Sequence, residues 1–509
     1  MTLQRYIVPL LLLFIAVSFF LPLSLAPLFD LDEGAFSEAT REMWVGGDYI
    51  TTYLNGELRF DKPILIYWLQ LISVKLFGLN EFALRLPSAI AGALWAGTIY
   101  WFVKKMWNVQ TAFFATLFMV VSLQINMIAK AAIADALLNL FITLTMFLLY
   151  LYYHHRTKGY LYLAFLSVAL GVLTKGPVAI MIPVIVSLLF FTIRGQFVTW
   201  LKMVFNPVGI GIFVVVALPW YVAEYMAQGQ AFIDGFFLKH NVSRFSSAME
   251  THSGSIFYFV PVLILGFLPF TYFAIKAIAG MRDYFQDDLK LYLFIWFAFV
   301  FIFFSFSGTK LPHYVIYGYT PLFILAALHV QRGVSKGWLI YPILILSIVL
   351  LFFPDIATLL KESINDKLAV VLIENAYSTF DTLYRLMMLG VILFLLFLLF
   401  RVQRNEAILL GVAASMVVIV NYIVIPTYGK LMQQPIKEAA LLAKTDGYQD
   451  IIMYKVNTPS FNVYYEGLVR KTVPQKGDIV FTKVPRLKDF EAYETLYQTN
   501  GFALIKVKK

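Results

Sequence analysis

Residues 7–25 read Ile7-Val8-Pro9-Leu10-Leu11-Leu12-Leu13-Phe14-Ile15-Ala16-Val17-Ser18-Phe19-Phe20-Leu21-Pro22-Leu23-Ser24-Leu25, nineteen positions without a charge. A helix needs about 20 mostly apolar residues to cross roughly 30 Å of hydrocarbon, so this run is long enough to span a bilayer. It does not read as a removable leader, because no small-residue cleavage site precedes a soluble domain and many more apolar runs follow. The same length rule gives about thirteen spans, centred near Phe14, Leu94, Leu117, Leu144, Leu166, Val184, Val214, Leu263, Phe299, Leu322, Leu346, Phe394 and Val417. The expected fold is a polytopic α-helical membrane protein.

Composition agrees. Of 509 residues, 60% are hydrophobic and 14% charged, against roughly 45–50% and about 25% in a soluble globular chain. That excludes an ordinary water-soluble enzyme, a disordered protein and a basic, polar nucleic-acid binder, so no nucleic acid is expected as a partner. With no cysteine, disulfide staples, thiolate metal sites and cysteine nucleophiles are excluded as well.

Lys and Arg in the short connections set the orientation. With the N-terminus inside, Arg5, Lys104, Lys105, Arg156, Lys158, Arg194, Lys202, Lys276, Arg282, Arg332, Lys336, Arg401 and Arg404 all fall on the cytoplasmic side. Longer segments, at residues 28–85, 226–255, 353–381 and after 425, fall on the opposite face. The chain divides into a membrane domain over residues 1–426 and a tail over 427–509 that reads as a small α/β domain. That tail holds 13 Lys and Arg against 8 Asp and Glu, +5 of the chain's +10. A basic outer domain suits the anionic headgroups of membrane lipids or saccharides; a solvated cap needed only for stability is the competing reading.

The polar residues of interest gather at the outer boundary. In Leu31-Asp32-Glu33-Gly34-Ala35-Phe36-Ser37-Glu38-Ala39-Thr40-Arg41-Glu42-Met43, Phe36, Ala39 and Met43 recur at helical spacing. They predict a short amphipathic helix lying in the membrane interface, with Glu38, Arg41 and Glu42 on a solvated face; Asp32, at the outer mouth of the first span, is a candidate for chemistry, its plain alternative being an N-cap of this helix. In Arg59-Phe60-Asp61-Lys62-Pro63, Pro63 fits the first turn of a helix. Lys62 then stands beside free backbone donors, an anion site suited to phosphate, while Asp61 binds a cation or neutralises Lys62.

Asp135, at the outer end of a span, is a functional candidate by default, its plain alternative being a pair with Lys130. Lys175 sits in Thr174-Lys175-Gly176-Pro177, where a Gly-Pro reversal accounts for the bend without chemistry. His240 and Arg244 are four apart and share a helix face; Arg suits bidentate phosphate recognition and His a metal or a proton. Lys310, in Ser307-Gly308-Thr309-Lys310-Leu311-Pro312-His313-Tyr314, adds another cation. Asp32, Lys62, Asp135, Lys175, Arg244 and Lys310 thus share one boundary under a topology fixed by other residues. A cavity so lined suits a phosphate whose greasy tail the bilayer holds.

This ordered set, from Asp32-Glu33 through Phe60-Asp61-Lys62-Pro63, Asp135, Lys175-Gly176-Pro177 and His240…Arg244-Phe245 to Lys310-Leu311-Pro312-His313-Tyr314, resembles the bacterial lipid A aminoarabinose transferases. Those belong to the wider GT-C group that includes the protein O-mannosyltransferases, and the resemblance covers about residues 1–330. It implies a GT-C fold in the bacterial inner membrane and transfer of a sugar from a polyprenyl phosphate, undecaprenyl phosphate in bacteria. The acceptor would be lipid A, another glycan or a protein at the periplasmic face. It further implies that Asp32, with Glu33 beside it, and Asp135 are the acids of the catalytic cavity. Lys62 meets the lipid phosphate, with Arg244, Lys175 and Lys310 as further cations. Asp61 and His240 match positions that hold a divalent metal in some members, although Asp61 is shorter than the Glu usual in the aminoarabinose transferases. A flippase or transporter, and a saccharide polymerase or ligase, are the alternatives. A transporter places charge at mid-bilayer, and these spans carry almost none there.

Overall fold

The computed structural model describes residues 3–243, 254–330 and 333–508, those at 3–5 and 240–243 as backbone only. Among the described residues, six helices are long and apolar enough to cross a membrane: Glu81–Met106, Asp135–His155, Pro207–Gln228, Asp288–Phe306, Thr382–Arg401 and Asn405–Met432. Lys336–Leu351 and Phe353–Ser363 make a seventh as a pair bent by 61°. Each of the centres expected from hydropathy falls inside a helix. Several of those helices are short, however, such as Phe259–Gly266 and Tyr319–Ala327. The chain is therefore a helical membrane protein in which six or seven helices suffice by length alone.

The helices group into two compact units. The first comprises Met1–Leu21, Arg59–Leu69 and Leu86–Leu339; the second comprises Pro22–Leu58, Gln70–Arg85 and Ile340–Lys509. Apolar helices gain little from leaving lipid for one another, so close packing and interhelical hydrogen bonds must hold them. The first unit has both. Phe102 stacks on Phe147 with ring centroids 3.8 Å apart, and Phe118 stacks on Phe270 at 4.2 Å. Trp95, wholly buried, donates to Thr320 Oγ1 at 2.8 Å, and Thr320 meets Thr143 at 3.0 Å. Trp296 donates to the Tyr317 carbonyl at 2.8 Å.

The second unit contains all six strands found among the described residues. β1 (Tyr53–Leu54) and β2 (Glu57–Leu58) form a hairpin turning at Asn55-Gly56, both with positive φ. β3 (Ile452–Met453), β4 (Ile479–Lys483), β5 (Tyr493–Thr499) and β6 (Phe502–Val507) form a sheet in the order β3-β4-β6-β5, with only the β3–β4 pair parallel. Successive strand residues face opposite sides. Phe502 and Leu504 accordingly pack with Ala439, Ala440 and Phe461 on one side, while Ala503, Ile505 and Val507 pack with Leu487 on the other. The first of these layers is built by the helices Gln434–Thr445 and Pro459–Tyr465. The apolar helix Asn405–Met432 runs through Pro426 before the first of them begins.

Candidate functional site

In the second unit, the segment after the first apolar helix folds into the helix Asp32–Gly46. Leu31 occupies the position before it and no side chain caps it. Asp32 is thus the first helical residue rather than the cap, its carboxylate exposed and close to the positive end of the helix dipole. Glu33, by contrast, is buried. It accepts from Arg85 at both oxygens, 2.8 Å from Nε and 2.6 Å from Nη2, and from the Phe29 amide at 2.9 Å. The other guanidinium donors reach the carbonyls of Leu23, Ala26 and Pro27 at 2.7–2.8 Å. All five N–H groups of Arg85 are therefore engaged, and the turn leading to Asp32 is braced around them.

The solvated polar face expected for this helix is corrected. Ten of its fifteen residues are buried, among them Glu38 and Arg41, which pair through 2.6 Å and 2.7 Å hydrogen bonds. An amphipathic spacing records which face is polar but not whether water or protein covers it, and here the helix packs against Pro459–Tyr465. Glu42 turns to the hairpin, where it accepts from the amides of Asn55 and Gly56.

In the first unit, the helix expected from Pro63 begins two residues later, at Leu65. Lys62 consequently stands three residues ahead of it and donates to the Asp61 carbonyl at 2.9 Å. The Asp61 carboxylate is 3.1 Å from the Arg59 guanidinium. Phe60 anchors this turn edge-on against Phe232, with ring centroids 5.8 Å apart.

Asp135 opens the helix Asp135–His155, and its partner is not Lys130, whose ammonium donates to Asn126. It is Lys175, 2.7 Å away, with the Tyr317 hydroxyl 2.8 Å from both groups. Tyr317 escapes sequence reasoning: it is one of 30 tyrosines, distinguished only by following the Lys310-Leu311-Pro312 turn. Lys175 ends its helix at Gly176, where φ is +78° and a Cβ would stand 2.7 Å from Phe236. Glycine is thus required at this reversal by backbone and space together.

Lys310 is buried, and its ammonium donates to the carbonyls of Ser305 and Ser307 at 2.9 and 2.8 Å, closing the C-terminal end of Asp288–Phe306. Arg244 lies outside the described residues, and the side chain of His240 does too; the His240 backbone belongs to Ile233–Ser243.

The structure thus brings together Asp135 with Lys175, and Asp61 with Lys62, while Asp32 and Glu33 are neighbours in the other unit. Among the described residues, no three His, Asp or Glu side chains converge as a metal site. Asp61 already faces a guanidinium, and the His240 side chain lies outside the described residues.

Residues 61–222 match the family described as dolichyl-phosphate-mannose-protein mannosyltransferase. The undecaprenyl phosphate-alpha-4-amino-4-deoxy-L-arabinose arabinosyl transferase of Yersinia enterocolitica is 34% identical over 335 residues, 64% of this chain and 60% of that protein. Its namesake from Aeromonas hydrophila is 30% identical over 344 residues, 66% of this chain and 62% of that one. The chain spans about three fifths of the length of the curated relatives it matches. The crystal structure of ArnT from Cupriavidus metallidurans bound to undecaprenyl phosphate shares the fold, with a TM-score of 0.83 at 20% identity over 99% of this chain and 98% of that one. The chain is thus similar to the undecaprenyl phosphate-aminoarabinose transferases and shares the membrane fold of ArnT, and its residues 61–222 match the dolichyl-phosphate-mannose-protein mannosyltransferase family.

Proposed function

We propose that the chain is an integral-membrane glycosyltransferase that moves a sugar from a polyprenyl-phosphate donor, undecaprenyl phosphate first among them, to an acceptor at the periplasmic face of the bacterial inner membrane. Lipid A is the acceptor assigned first, with other envelope glycans and proteins as the wider class. The aminoarabinose named in its relatives is the first sugar to test. The observation that carries this reading is an exposed Asp32 carboxylate on a turn braced by the buried Glu33–Arg85 pair. Such a group is accessible to an acceptor yet fixed in place.

Breaking the bond between C1 and the phosphate oxygen develops positive charge on the sugar and negative charge on the leaving phosphate. Lys62 and Arg244 are assigned to that phosphate, a preorganised interaction worth a few kcal/mol per donor. An ammonium has three donors. Lys175 and Lys310 each use two inside the protein, and we assign the third to the phosphate. Asp32 takes the proton of a hydroxyl acceptor as general base; a phosphate acceptor is already nucleophilic and Asp32 would position it. Attack opposite the leaving group inverts C1. Asp135 orients Lys175, and Glu33 holds the Asp32 turn. Asp61 and His240 remain the proposed positions for a divalent ion, and no step is routed through it.

The same reading extends to thirteen spans with the N-terminus in the cytoplasm. It includes a membrane domain over residues 1–426 with periplasmic loops at 28–85 and 226–255, and a periplasmic domain over 427–509. Basic residues in alternate short loops support it. The test is transfer by the purified protein in nanodiscs supplied with a polyprenyl-phosphate sugar and candidate acceptors. Asp32→Asn and Lys62→Ala should each abolish transfer while the protein remains folded. Full activity in both variants overturns the assignment, and donor translocation without cleavage at C1 favours a flippase.

A further inference from the structure

We infer that the tail helix Pro459–Tyr465 is a positioning element for the turn that carries Asp32, with Ser460 and Tyr464 as its positioning residues. The inference rests on the assignment of Asp32 above.

Three residues of this helix each hold a different part of the first loop. The Ser460 amide donates to Asp30 Oδ1 at 2.9 Å, and its hydroxyl donates to Asp30 Oδ2. The Tyr464 hydroxyl accepts from the Leu28 amide at 2.8 Å and donates to Glu81 at 2.9 Å. Asn462 donates to Asn55 Oδ1 at 2.8 Å, and the Asn55 side chain also pairs with both backbone groups of Val469 at 2.8 and 2.9 Å. Space is equally restrictive. A Cβ on Gly34 would stand 2.1 Å from Asp30 Oδ1 and 2.6 Å from the Ser460 amide, so the helix of Asp32 approaches the tail helix as closely as glycine permits.

A cap serving stability alone could rest on apolar contact, which is not directional. These bonds are directional, and they fix the Asp30 side chain and the Leu28 backbone, two and four residues ahead of Asp32, at a helix start that no side chain caps. Together with the Arg85 brace, they hold the Asp32 turn from two sides. Small displacements of a reacting group have large effects on rate, about a hundredfold for 1 Å.

The test uses the full chain in nanodiscs with the polyprenyl-phosphate sugar as donor. Ser460→Ala and Tyr464→Phe should each lower kcat about tenfold or more, with donor KM changed by less than about twofold, and Ser460→Thr should restore most of the rate. Hydrogen–deuterium exchange should quicken at residues 28–36 in both variants, while residues 479–483 and 502–507 of the sheet keep wild-type protection. Wild-type kcat with unchanged exchange at 28–36 overturns the inference, as does activity lost together with sheet protection in both variants. Asp32→Asn measured alongside separates the two readings. If it transfers sugar at the wild-type rate the role of Asp32 fails, whereas exchange at 28–36 still reports the tail helix.

Discussion

Nζ of Lys175 lies 2.7 Å from Oδ1 of Asp135, forty residues earlier in the chain, and the hydroxyl of Tyr317 is 2.8 Å from each. The acid begins one helix, the cation ends the next, and the tyrosine comes from the turn Pro312–Gly318. Removing one member of a buried ion pair leaves the other charge uncompensated at a cost of about 3–5 kcal/mol, whereas replacing both is far milder. Asp135→Asn and Lys175→Met should each lower the thermal unfolding midpoint in detergent sharply. The double variant should be more stable than either single one, and simple additivity of the two losses would count against the pairing.

Arg85 poses a different demand. Its five donors serve one carboxylate and three carbonyls, and a lysine ammonium has only three donors on a single atom. Arg85→Lys should therefore destabilise by about 1–3 kcal/mol for the buried acceptors left unmet, and Arg85→Ala by more because Glu33 loses its counter-charge. Limited proteolysis within residues 22–33, quickened in that order, is the check.

Asp30 makes stability depend on pH. Burial pushes its carboxyl from the ordinary range up to about 7, against the opposing pull of its Ser460 hydrogen bonds and with a smaller push from the Glu33 charge. The folded protein thus keeps a proton that the unfolded chain releases near pH 4. Stability from this group is complete below about pH 4, falls by up to about 1.4 kcal/mol per pH unit as pH rises toward 7, and levels off above that. Asp30→Asn, which cannot ionise, should show a shallower decline over this window. Identical slopes in unfolding titrations of the two proteins would refute the assignment.

Gly176 is constrained twice, by φ of +78° and by Phe236 at 2.7 Å from the missing Cβ. Gly176→Ala should cost about 1–3 kcal/mol. Adding Phe236→Leu relieves the contact but not the backbone, so the pair should recover only part of the loss in the unfolding midpoint. Full recovery would mean that the ring alone sets the requirement.

Much of the helical plan is legible in the chain because a span is a one-dimensional property: about 20 apolar residues in a row. Phe14, Leu94 and Phe394 could be placed on helices from hydropathy alone. In the tail, whose runs at 450–456, 478–483 and 503–507 read as strands, β3 and β4 lie within the first two and β6 begins one residue before the third. What could not be read is which distant group a polar residue meets. Lys130, five residues from Asp135, was the natural partner by proximity, yet Lys175 takes that place. Glu38 and Arg41 have the spacing of a solvated pair and are buried all the same. Ser460 carries no mark in sequence at all, since its role is defined only by the approach of Asp30.

That last pairing bears on biogenesis. Asp30 and Ser460 are 430 positions apart, Leu28 and Tyr464 are 436 apart, and Asn55 and Val469 are 414 apart. At roughly 5–20 residues per second of synthesis, about 20–90 seconds pass between emergence of the first partner from the ribosome and arrival of the second. For most of that interval, once Arg85 has followed, the turn ahead of Asp32 has the Arg85 brace but not its tail partners. Early translation termination or a nonsense codon ahead of codon 460 would therefore release a nascent product with most of its bilayer helices inserted and its acidic turn half-fastened, a natural substrate for membrane quality-control proteases.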